Sequence, residues 1–305
     1  MRSEELTTEF YQTITQLYGD DGKRWLTSLP DCIAICAKQW GLTDLIVSPH
    51  LSFNYILMAR RSIDNAPVVI KLGYDAAMLQ HEQLALELYN GNGCVRLLAH
   101  DTDQQALLLE QLLPARPLSS SFPHQEELAI EQAVRIMNQL HTVPLPKGGA
   151  WSQLPHIDDW LSLFEHLDLE AHTIPLAHLR KARTLAKQLL ATQRAPVLLH
   201  GDLHQGNILS DGATWRAIDP KGVVGEPAYE VGTFIRNPTQ LLVEHEQAVE
   251  LIRNRIDRFS QLLQIDRQRI KEWSYVQAVL AAVWNEQDDL ECDDMIRVAE
   301  LIDQA

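Results

Sequence analysis

The sequence predicts an α+β protein of two lobes: a small N-terminal lobe built on a sheet and a larger, mostly helical C-terminal lobe. Short runs rich in β-branched residues alternate with turn residues up to about residue 110, and apolar residues recur at helical spacing in most of the remainder. A chain of 305 residues is also long enough for two lobes. Because Pro114 and Pro117 interrupt the chain between the two patterns, we place the lobes at residues 1–112 and 113–305.

The N-terminal lobe is predicted to begin with two helices, followed by five strands and one further helix. Apolar residues at helical spacing mark helices over residues 4–18 and 23–40, and Gly19 and Gly22 fall in the break between them. Strands are predicted at residues 45–47, 53–59, 68–71, 95–98 and 106–109, with a helix at residues 76–89 between the third strand and the fourth. Polar turn residues separate these segments, as expected for a small sheet with one crossing helix.

The C-terminal lobe is predicted to consist mainly of helices, at residues 125–141, 157–167, 176–192, 238–263, 266–284 and 288–303, with another that starts near residue 228. Short apolar runs at residues 196–199, 208–209 and 215–218 interrupt this pattern and are typical of buried strands. They flank one polar loop, residues 200–207. The pattern therefore predicts a loop that is held rigid in the interior of the lobe.

Composition excludes several classes of protein. Hydrophobic residues make up 46% and charged residues 22%, which is typical of a folded globular chain. The formal net charge of −15 argues against a nucleic-acid partner, and it is compatible either with a cationic substrate or with plain solubility. No apolar stretch approaches the ~20 residues that span a bilayer, and the N-terminus lacks the apolar segment of a signal peptide, so we expect no membrane partner. The four cysteines lack C-x-x-C pairing and the histidines lack H-E-x-x-H, so no zinc site is predicted; no oligomeric state is predicted either.

Two carboxylates and one carboxamide lie in the polar loop and shortly after it. These are Asp202, Asn207 and Asp219. Amide and carboxylate oxygens are the ligands that Mg²⁺ prefers, and a further carboxylate can orient an attacking hydroxyl and accept its proton. The set therefore suits phosphate transfer from Mg-ATP. Gly-Asp and Asp-Pro are also ordinary turn dipeptides, which is the alternative interpretation of either pair alone.

The spacing of these residues resembles a known signature. Protein kinases carry H-R-D-L-x-x-x-N and then D-F-G, and here H-G-D-L-H-Q-G-N at residues 200–207 precedes I-D-P at residues 218–220. This variant, with the continuation D-P-K-G-V-V-G-E-P-A-Y-E at residues 219–230, resembles the aminoglycoside phosphotransferase family, in particular its streptomycin 6-kinase and hydroxyurea phosphotransferase branch. The resemblance is most specific over residues 198–238. It implies a bilobal, protein-kinase-like fold.

The resemblance assigns roles to the loop residues. It implies that Asp202 is the catalytic base and that Asn207 and Asp219 hold Mg²⁺. It also implies that His200 supports the loop and that Glu230 anchors the loop backbone. Most members have Asp at the position of Glu230, and an acid near a helix N-terminus is favourable in any case, so a purely structural role is the alternative there.

A lysine in the N-terminal lobe is predicted to bind nucleotide. Lys71 ends the strand V-V-I-K, an arrangement that matches the lysine contacting the α- and β-phosphates in kinases. Its expected partner is an acid on the next helix. Helical spacing places Glu82 on the apolar side of that helix, and Glu87 is the alternative partner. A plain surface charge is the other interpretation of both Lys71 and Glu82.

The other predicted nucleotide contacts have less specific sequence motifs. No G-x-G-x-x-G precedes the lysine; instead Ser52 lies in the turn at residues 48–54, where its hydroxyl could cap the phosphates or simply belong to a turn. Backbone groups of Glu110 and Leu112 resemble the hinge that hydrogen-bonds adenine. We therefore expect ATP to bind at the crease between the lobes, as ligands often do at domain interfaces.

The acceptor site is expected in the helical lobe, where the family places acids from late helices. The candidates are Trp284, Asn285, Glu286 and Asp288. His204 of the loop is a further candidate, and an ordinary loop histidine is the alternative interpretation of it. Asp288 also lies at a predicted helix start, so an N-cap is the alternative role for it.

Together these features predict an ATP- and Mg²⁺-dependent kinase that phosphorylates a hydroxyl group of a small molecule, with streptomycin-like aminoglycosides or hydroxyurea as the acceptors that the resemblance implies. With ATP as donor, we expect a cytoplasmic location. Gly201 replaces the arginine that reads activation-loop phosphorylation, so activity should be constitutive. The alternatives are a metabolic kinase of a sugar, an amino alcohol or a glycated amine, and a nucleotide-binding pseudokinase that acts as a regulator. A protein kinase is disfavoured because no segment ending in A-P-E follows the motif.

Overall fold

The computed structural model describes residues 7–145, 148, 150–167 and 173–305, with the backbone alone at residues 150 and 151. The chain forms two compact units. Unit 1 comprises residues 1–91 and 95–112, and unit 2 comprises residues 92–94 and 113–305. The main division therefore falls after residue 112. The first residues of the helix predicted at 4–18 lie outside the described part.

Unit 1 is a five-stranded antiparallel sheet with two helices. Its elements are α1 (Thr8–Trp40), β1 (Leu42–Val47), β2 (Asn54–Arg61), β3 (Pro67–Gly73), α2 (Ala76–Tyr89), β4 (Leu97–Asp101) and β5 (Ala106–Glu110). The strand order is β1-β2-β3-β5-β4, with every neighbouring pair antiparallel. All five strands and both helical regions predicted from the sequence are present.

The two predicted N-terminal helices follow each other without an intervening loop. The side chain of Thr7 caps the first turn by accepting a hydrogen bond from the Phe10 N–H (3.2 Å). Gly19 has φ 56° and ψ −132°, which breaks the helical path, and Gly41 ends α1 in the left-handed conformation. The glycine at position 19 thus separates two helices within one element.

Alternation along β2 and β3 decides which side chains face the core of unit 1. Tyr55 and Leu57 of β2, with Ile70 and Leu72 of β3, are buried in one cluster with α1. Because successive side chains point to opposite faces of a strand, Lys71 leaves on the face opposite to Ile70 and Leu72. The sequence period of the strand therefore fixes the direction of the lysine.

Unit 2 is mainly helical, with two small sheets. Its elements are β6 (Pro114–Pro117), α3 (Glu126–Leu140), α4 (Ile157–Leu161), α5 (Leu163–His166), α6 (Leu176–Ala191), β7 (Val197–Leu199), β8 (Ile208–Asp211), β9 (Thr214–Ala217), β10 (Val223–Gly225), α7 (Pro227–Ile235), α8 (Thr239–Val243), α9 (Ala248–Leu263), α10 (Arg267–Gln287) and α11 (Asp293–Gln304). One sheet pairs β10 with β7, and the other has the order β6-β8-β9.

Three predicted helices have different bounds in the structure. The helix predicted at 157–167 is divided into α4 and α5, and the one predicted at 238–263 is divided into α8 and α9 around the polar residues 244–247. The helix predicted to start at Asp288 begins at Asp293 instead. The reason is that α10 runs through Gln287, and Asp289 then adopts the left-handed conformation (φ 55°) that ends it.

Helix α10 is the central element of unit 2. Twelve of its residues are buried, including Val276, Val279 and Val283, so the helix is apolar around most of its circumference. It packs against α6, α7, α9 and α11. Among the described residues, none of the helices has the length and apolarity needed to cross a membrane.

Candidate active site

The polar loop at residues 200–207, here the catalytic loop, lies between β7 and β8. Each of these strands belongs to a sheet: β7 pairs with β10, and β8 pairs with β6 and β9. The last three residues of the loop, Gln205–Asn207, form a short 3-10 turn. Because both ends of the loop continue into paired strands, its backbone is fixed at both sides, as the apolar runs predicted.

His200 joins the catalytic loop to the residues before Asp219. Its ring is fully buried; Nε2 donates to the carbonyl oxygen of Ile218 (2.8 Å), and Nδ1 accepts from the Asp202 N–H (3.2 Å). These partners require a neutral ring with its proton on Nε2, a tautomer inferred from the hydrogen bonds. Burial lowers the pKa of His200, which favours the same neutral form.

Glu230 holds the backbone of the loop. It lies in the first turn of α7 and is fully buried; Oε2 accepts from the His200 N–H (2.6 Å) and Oε1 from the Gly201 N–H (3.0 Å). The Nε2 of His141 lies 3.6 Å from Oε2. Both carboxylate oxygens are thus used on the two residues that precede Asp202. Charge-assisted bonds of this kind are short and strong, so the loop backbone is positioned by a buried acid.

The carboxylate of Asp202 is the accessible part of the loop. Its side chain is 26% exposed, so a substrate can reach it. A guanidinium nitrogen of Arg236, Nη2, lies 3.7 Å from Oδ1, and the Nε2 of His204 lies 3.9 Å from Oδ2. These separations are longer than direct hydrogen bonds, but they place one basic group beside each carboxylate oxygen.

Arg236 is a site residue that sequence reasoning missed. It follows the last residue of α7, and its Nε is buried without a hydrogen-bond partner among the described residues. No motif or spacing marks this arginine. The fold brings it to Asp202 because Glu230, six residues earlier on the same helix, is bonded to the loop.

Gly201 is required by the shape of the loop. Its φ is +81°, which side chains rarely adopt, and an added Cβ would lie 2.9 Å from Cη2 of Trp160 and 2.9 Å from Cγ1 of Val223. The glycine that replaces the protein-kinase arginine in the motif is therefore also the residue that allows Trp160 to pack on the loop.

Asn207 immediately precedes β8, and Asp219 lies two residues after the end of β9, the strand that pairs with β8. The Asn207 Nδ2 donates to the carbonyl of Asp202 (3.0 Å), and the Ile218 N–H donates to the carbonyl of Asn207 (2.9 Å), just before Asp219. The first bond turns the carboxamide so that its nitrogen faces the loop and its oxygen is the atom left for a cation. Among the described residues, no group of three or more His, Cys, Asp and Glu side chains could hold a metal. A kinase Mg²⁺ site takes only one or two carboxylate or amide ligands beside phosphate oxygens, so this pair fits it.

His204 takes part in the loop itself. Its Nδ1 accepts from the Gly206 N–H (3.0 Å) and so caps the 3-10 turn, while Nε2 points to Asp202. Burial lowers the pKa of His204. A neutral ring is therefore favoured, as in His200.

In unit 1, Lys71 and Glu82 form a buried ion pair. Lys71 Nζ lies 2.8 Å from Oε1 and 2.7 Å from Oε2 of Glu82, and the side chains are 3% and 8% exposed. Glu87, the alternative partner, instead accepts from Gln83 and lies 3.8 Å from His100. Lys71 thus pairs with Glu82, as the position of Glu82 on the apolar side of α2 predicted.

The other predicted nucleotide contacts also belong to unit 1. Ser52 is exposed in the turn before β2. The N–H of Glu110 is already bonded to the carbonyl of Arg96 (3.1 Å), while its side chain accepts from the Arg96 N–H (2.7 Å). Leu112 is buried. The backbone donor predicted at Glu110 is therefore occupied within the unit.

Of the predicted acceptor residues, Trp284 is connected to the catalytic loop indirectly. It packs on Trp160, and Trp160 in turn lies against Gly201 of the loop. Trp284 is half-buried at the end of α10, and the two tryptophan rings meet edge-to-face (centroids 5.7 Å, interplanar angle 86°). Asn285 and Glu286 are engaged locally: the Asn285 Nδ2 donates to the carbonyl of Glu291 (2.9 Å), and Glu286 accepts from the N–H of Thr173 (2.6 Å).

The predicted N-cap role of Asp288 is wrong. This residue ends α10 as its C-cap, and its N–H still donates to the carbonyl of Trp284 (3.1 Å). The acidic run after Trp284 resembles a helix start in sequence, but the helix that contains Trp284 continues into it.

A family model described as aminoglycoside/hydroxyurea antibiotic resistance kinase matches residues 40–289. The chain belongs to this family. It is therefore a kinase that transfers phosphate to a hydroxyl group of a small molecule, and the resemblance drawn from the loop motif is confirmed.

Named relatives of this kinase cover nearly all of it. Streptomycin 6-kinase of Streptomyces glaucescens is 26% identical over 93% of this chain and 92% of its own length. Hydroxyurea phosphotransferase of Kitasatospora aureofaciens is 27% identical over 93% of this chain and 81% of its own length.

Solved structures share the fold of this kinase at low identity. Choline kinase LicA from Streptococcus pneumoniae has a TM-score of 0.63 and 15% identity, covering 90% of this chain and 99% of that one. A mutant of aminoglycoside phosphotransferase APH(4)-Ia, solved with ADP and hygromycin B, has a TM-score of 0.61 and 12% identity, covering 89% and 98%. The predicted protein-kinase-like α+β fold is confirmed.

Proposed function

We propose that this kinase transfers the γ-phosphate of Mg-ATP to a hydroxyl group of an antibiotic-like small molecule, with streptomycin and hydroxyurea as the first acceptors to test. The names of its full-length relatives support this choice of acceptors. The observation that carries the proposal is the catalytic loop: Glu230 and His200 fix the backbone on which Asp202 stands, while the Asp202 carboxylate is 26% exposed.

Asp202 acts on the acceptor. Its carboxylate accepts a hydrogen bond from the acceptor hydroxyl, directs the oxygen toward the γ-phosphate, and takes the proton late, because little charge develops on the nucleophile in a loose transition state. Arg236 and His204, one beside each carboxylate oxygen, limit the rotation of the carboxylate. Positioning of this kind is the main contribution a protein makes to phosphoryl transfer.

The residues proposed to bind Mg-ATP are those that the sequence motifs predicted. In this proposal Lys71 contacts the α- and β-phosphates, and Glu82 holds its ammonium in place. The Asn207 carboxamide oxygen and the Asp219 carboxylate would hold Mg²⁺, which would neutralise negative charge on the phosphates. Ser52 and the backbone of Leu112 are proposed as further contacts to the phosphates and the adenine; the N–H of Glu110 is already bonded to Arg96, so no adenine contact through it is proposed.

The experiment is a turnover assay with the purified full-length protein. ADP release is measured with streptomycin, hydroxyurea, a sugar and an amino alcohol, and each product is examined by mass spectrometry for an added phosphate. Phosphorylation of streptomycin or hydroxyurea, abolished by EDTA and restored by excess Mg²⁺, is the expected result. ATP binding without phosphorylation of any acceptor would contradict the proposal and favour a nucleotide-binding regulator; phosphorylation of the sugar or amino alcohol alone would make this a metabolic kinase.

A further inference from the structure

We propose that Trp160 and Trp284 form the surface on which the acceptor binds, and that this surface selects an acceptor carrying an ammonium or guanidinium group near the hydroxyl. This surface is called the tryptophan pair below. The inference rests on the proposed function, because it concerns the acceptor of the same reaction. Trp160 stands outside the kinase motif, and its position is visible only in the structure.

The tryptophan pair is the outer end of a row of aromatic rings. Trp284 packs edge-to-face on Trp160, Trp160 packs on Tyr229 (centroids 6.2 Å), and Tyr229 packs edge-to-face on Trp273 (5.2 Å). Tyr229 and Trp273 are buried, and the indole N–H of Trp273 donates to the buried carboxylate of Glu226. The inner rings are therefore fixed, while the two outer rings are half-exposed. A rigid and partly open aromatic surface is well suited to binding a ligand, since little conformational freedom is lost.

Short-range contacts hold Trp160 against the catalytic loop. Pro155, two residues before the start of α4 at Ile157, accepts a hydrogen bond from the N–H of Val224 in β10 (2.8 Å). This bond joins the start of the helix to the sheet beside the loop. The Asp159 carboxylate caps the same helix by accepting from the His156 N–H (2.7 Å). These bonds fix the direction of α4, and the Trp160 side chain it carries lies over Gly201.

The tryptophan pair lies one residue from the catalytic base. A Cβ built on Gly201 would be 2.9 Å from Cη2 of Trp160, so the indole lies in contact with this glycine, and Asp202 is the next residue. An acceptor that lies on Trp160 is therefore beside the residue that precedes the proposed catalytic base.

The aromatic rings and one neighbouring carboxylate favour a cation on this surface, although the Cβ of Lys221 also lies near Gly201. Indole rings attract ammonium and guanidinium groups through their negative faces. Asp288 follows Trp284 by one helical turn, and its N–H bond to the Trp284 carbonyl keeps it in helical register, so both lie on the same side of α10. Asp288 is exposed. One exposed carboxylate thus lies beside the half-exposed Trp284, in a chain whose net charge is −15.

The test compares acceptors with matched variants. Streptomycin carries guanidinium groups and several hydroxyls, whereas hydroxyurea is small and neutral. For wild type, Trp160→Leu, Trp160→Phe and Trp284→Leu, KM is measured for streptomycin and for ATP, and streptomycin binding is measured separately by calorimetry. Trp40→Leu is the control, because Trp40 is a half-buried tryptophan at the end of α1 in unit 1. Thermal melting confirms that each variant is folded.

We expect Trp160→Leu and Trp284→Leu to raise the KM and the Kd for streptomycin about tenfold, which is the effect of losing a partly desolvated cation–π contact. The KM for ATP should not change, Trp160→Phe should recover part of the loss, and Trp40→Leu should behave as wild type. Folded leucine variants with unchanged streptomycin binding would overturn the inference. So would a wild-type enzyme that phosphorylates hydroxyurea but neither binds nor phosphorylates streptomycin, although the proposed function would then stand. Tryptophan-dependent streptomycin binding without turnover on any acceptor would support the tryptophan pair and reject the proposed function.

Discussion

Both units bury a glutamate, and they use it differently. In unit 1, Glu82 neutralises the side chain of Lys71, so the two charges satisfy each other. In unit 2, Glu230 accepts from two backbone N–H groups and leaves the functional carboxylate of Asp202 partly exposed. The first acid holds a reactive group directly; the second shapes the loop that carries one. Loss of either acid should therefore damage the protein in distinguishable ways.

The largest effect is expected at Asp202 itself. Asp202→Ala removes the group that orients and deprotonates the acceptor, so kcat should fall about 10²- to 10⁴-fold. The affinity for ATP should change little, because Asp202 is not among the proposed nucleotide ligands. Steady-state kinetics and calorimetric ATP binding measure the two quantities. A variant that retains wild-type turnover would rule out Asp202 as the base.

The next largest effect is expected in unit 1. Glu82→Ala leaves the Lys71 ammonium buried without its partner, which should reduce the free energy of unfolding by about 3 kcal/mol. Glu87→Ala on the same helix removes an exposed acid and is the matched control, with a change below about 0.5 kcal/mol. Urea unfolding followed by circular dichroism measures both. Equal effects of the two substitutions would mean that the ion pair contributes little.

A smaller loss of stability is expected at Glu230. Glu230→Gln keeps one oxygen acceptor but turns the second position into an amide that cannot accept from the Gly201 N–H. We expect a loss of about 2 kcal/mol in unfolding free energy together with a lower kcat, because one backbone donor is left unpaired and the loop can shift. Glu244→Gln, at an exposed acid in the same unit, serves as the control. Lowered stability with unchanged kcat would show that the loop geometry does not depend on Glu230.

Arg236 tests whether the Asp202 carboxylate must be held in position. Arg236→Gln removes the charge 3.7 Å from Oδ1, and kcat should fall about tenfold through misplacement of the carboxylate, with little change in KM for ATP. Arg236→Lys restores the charge and should recover part of the activity. If the lysine variant is no better than the glutamine variant, charge is not what Arg236 supplies.

The smallest and most gradual effect is a pH dependence of stability. Burial keeps the pKa of His200 below its ordinary value of ~6.5, so below that pH the unfolded chain binds a proton that the folded protein does not. The free energy of unfolding should therefore fall as the pH drops below ~6.5. For this residue the fall is at most about 1.4 kcal/mol per pH unit, and it stops when the pH reaches the pKa of His200 in the folded protein.

His200→Asn should make that decline shallower, since the variant has one titrating group fewer. Unfolding free energies of both proteins between pH 7 and pH 5 provide the measurement. His204, whose pKa is also lowered by burial, titrates in both proteins and contributes to both curves. Parallel curves would show that His200 does not resist protonation in the folded state.

The sequence by itself determined the local elements and the catalytic motif. The alternation of side-chain direction along β3 places Lys71 on the face opposite the core. Helical spacing places Glu82 on the buried side of α2. The order of Asp202, Asn207 and Asp219 between apolar runs was enough to indicate phosphoryl transfer. All of these features depend on residues that are close in the chain, where strand and helix periods impose geometry directly.

Only the tertiary structure decided which distant residues meet at the loop. Trp160 reaches Gly201 because α4 is tied to β10, and Arg236 reaches Asp202 because α7 is tied to the loop through Glu230. The end of α10 is another case: the acids after Trp284 have the composition of a helix start, but α10 continues past Trp284 to Gln287 and the next helix begins only at Asp293. Such contacts arise from packing between elements, and packing leaves no regular period in the sequence from which it could be predicted.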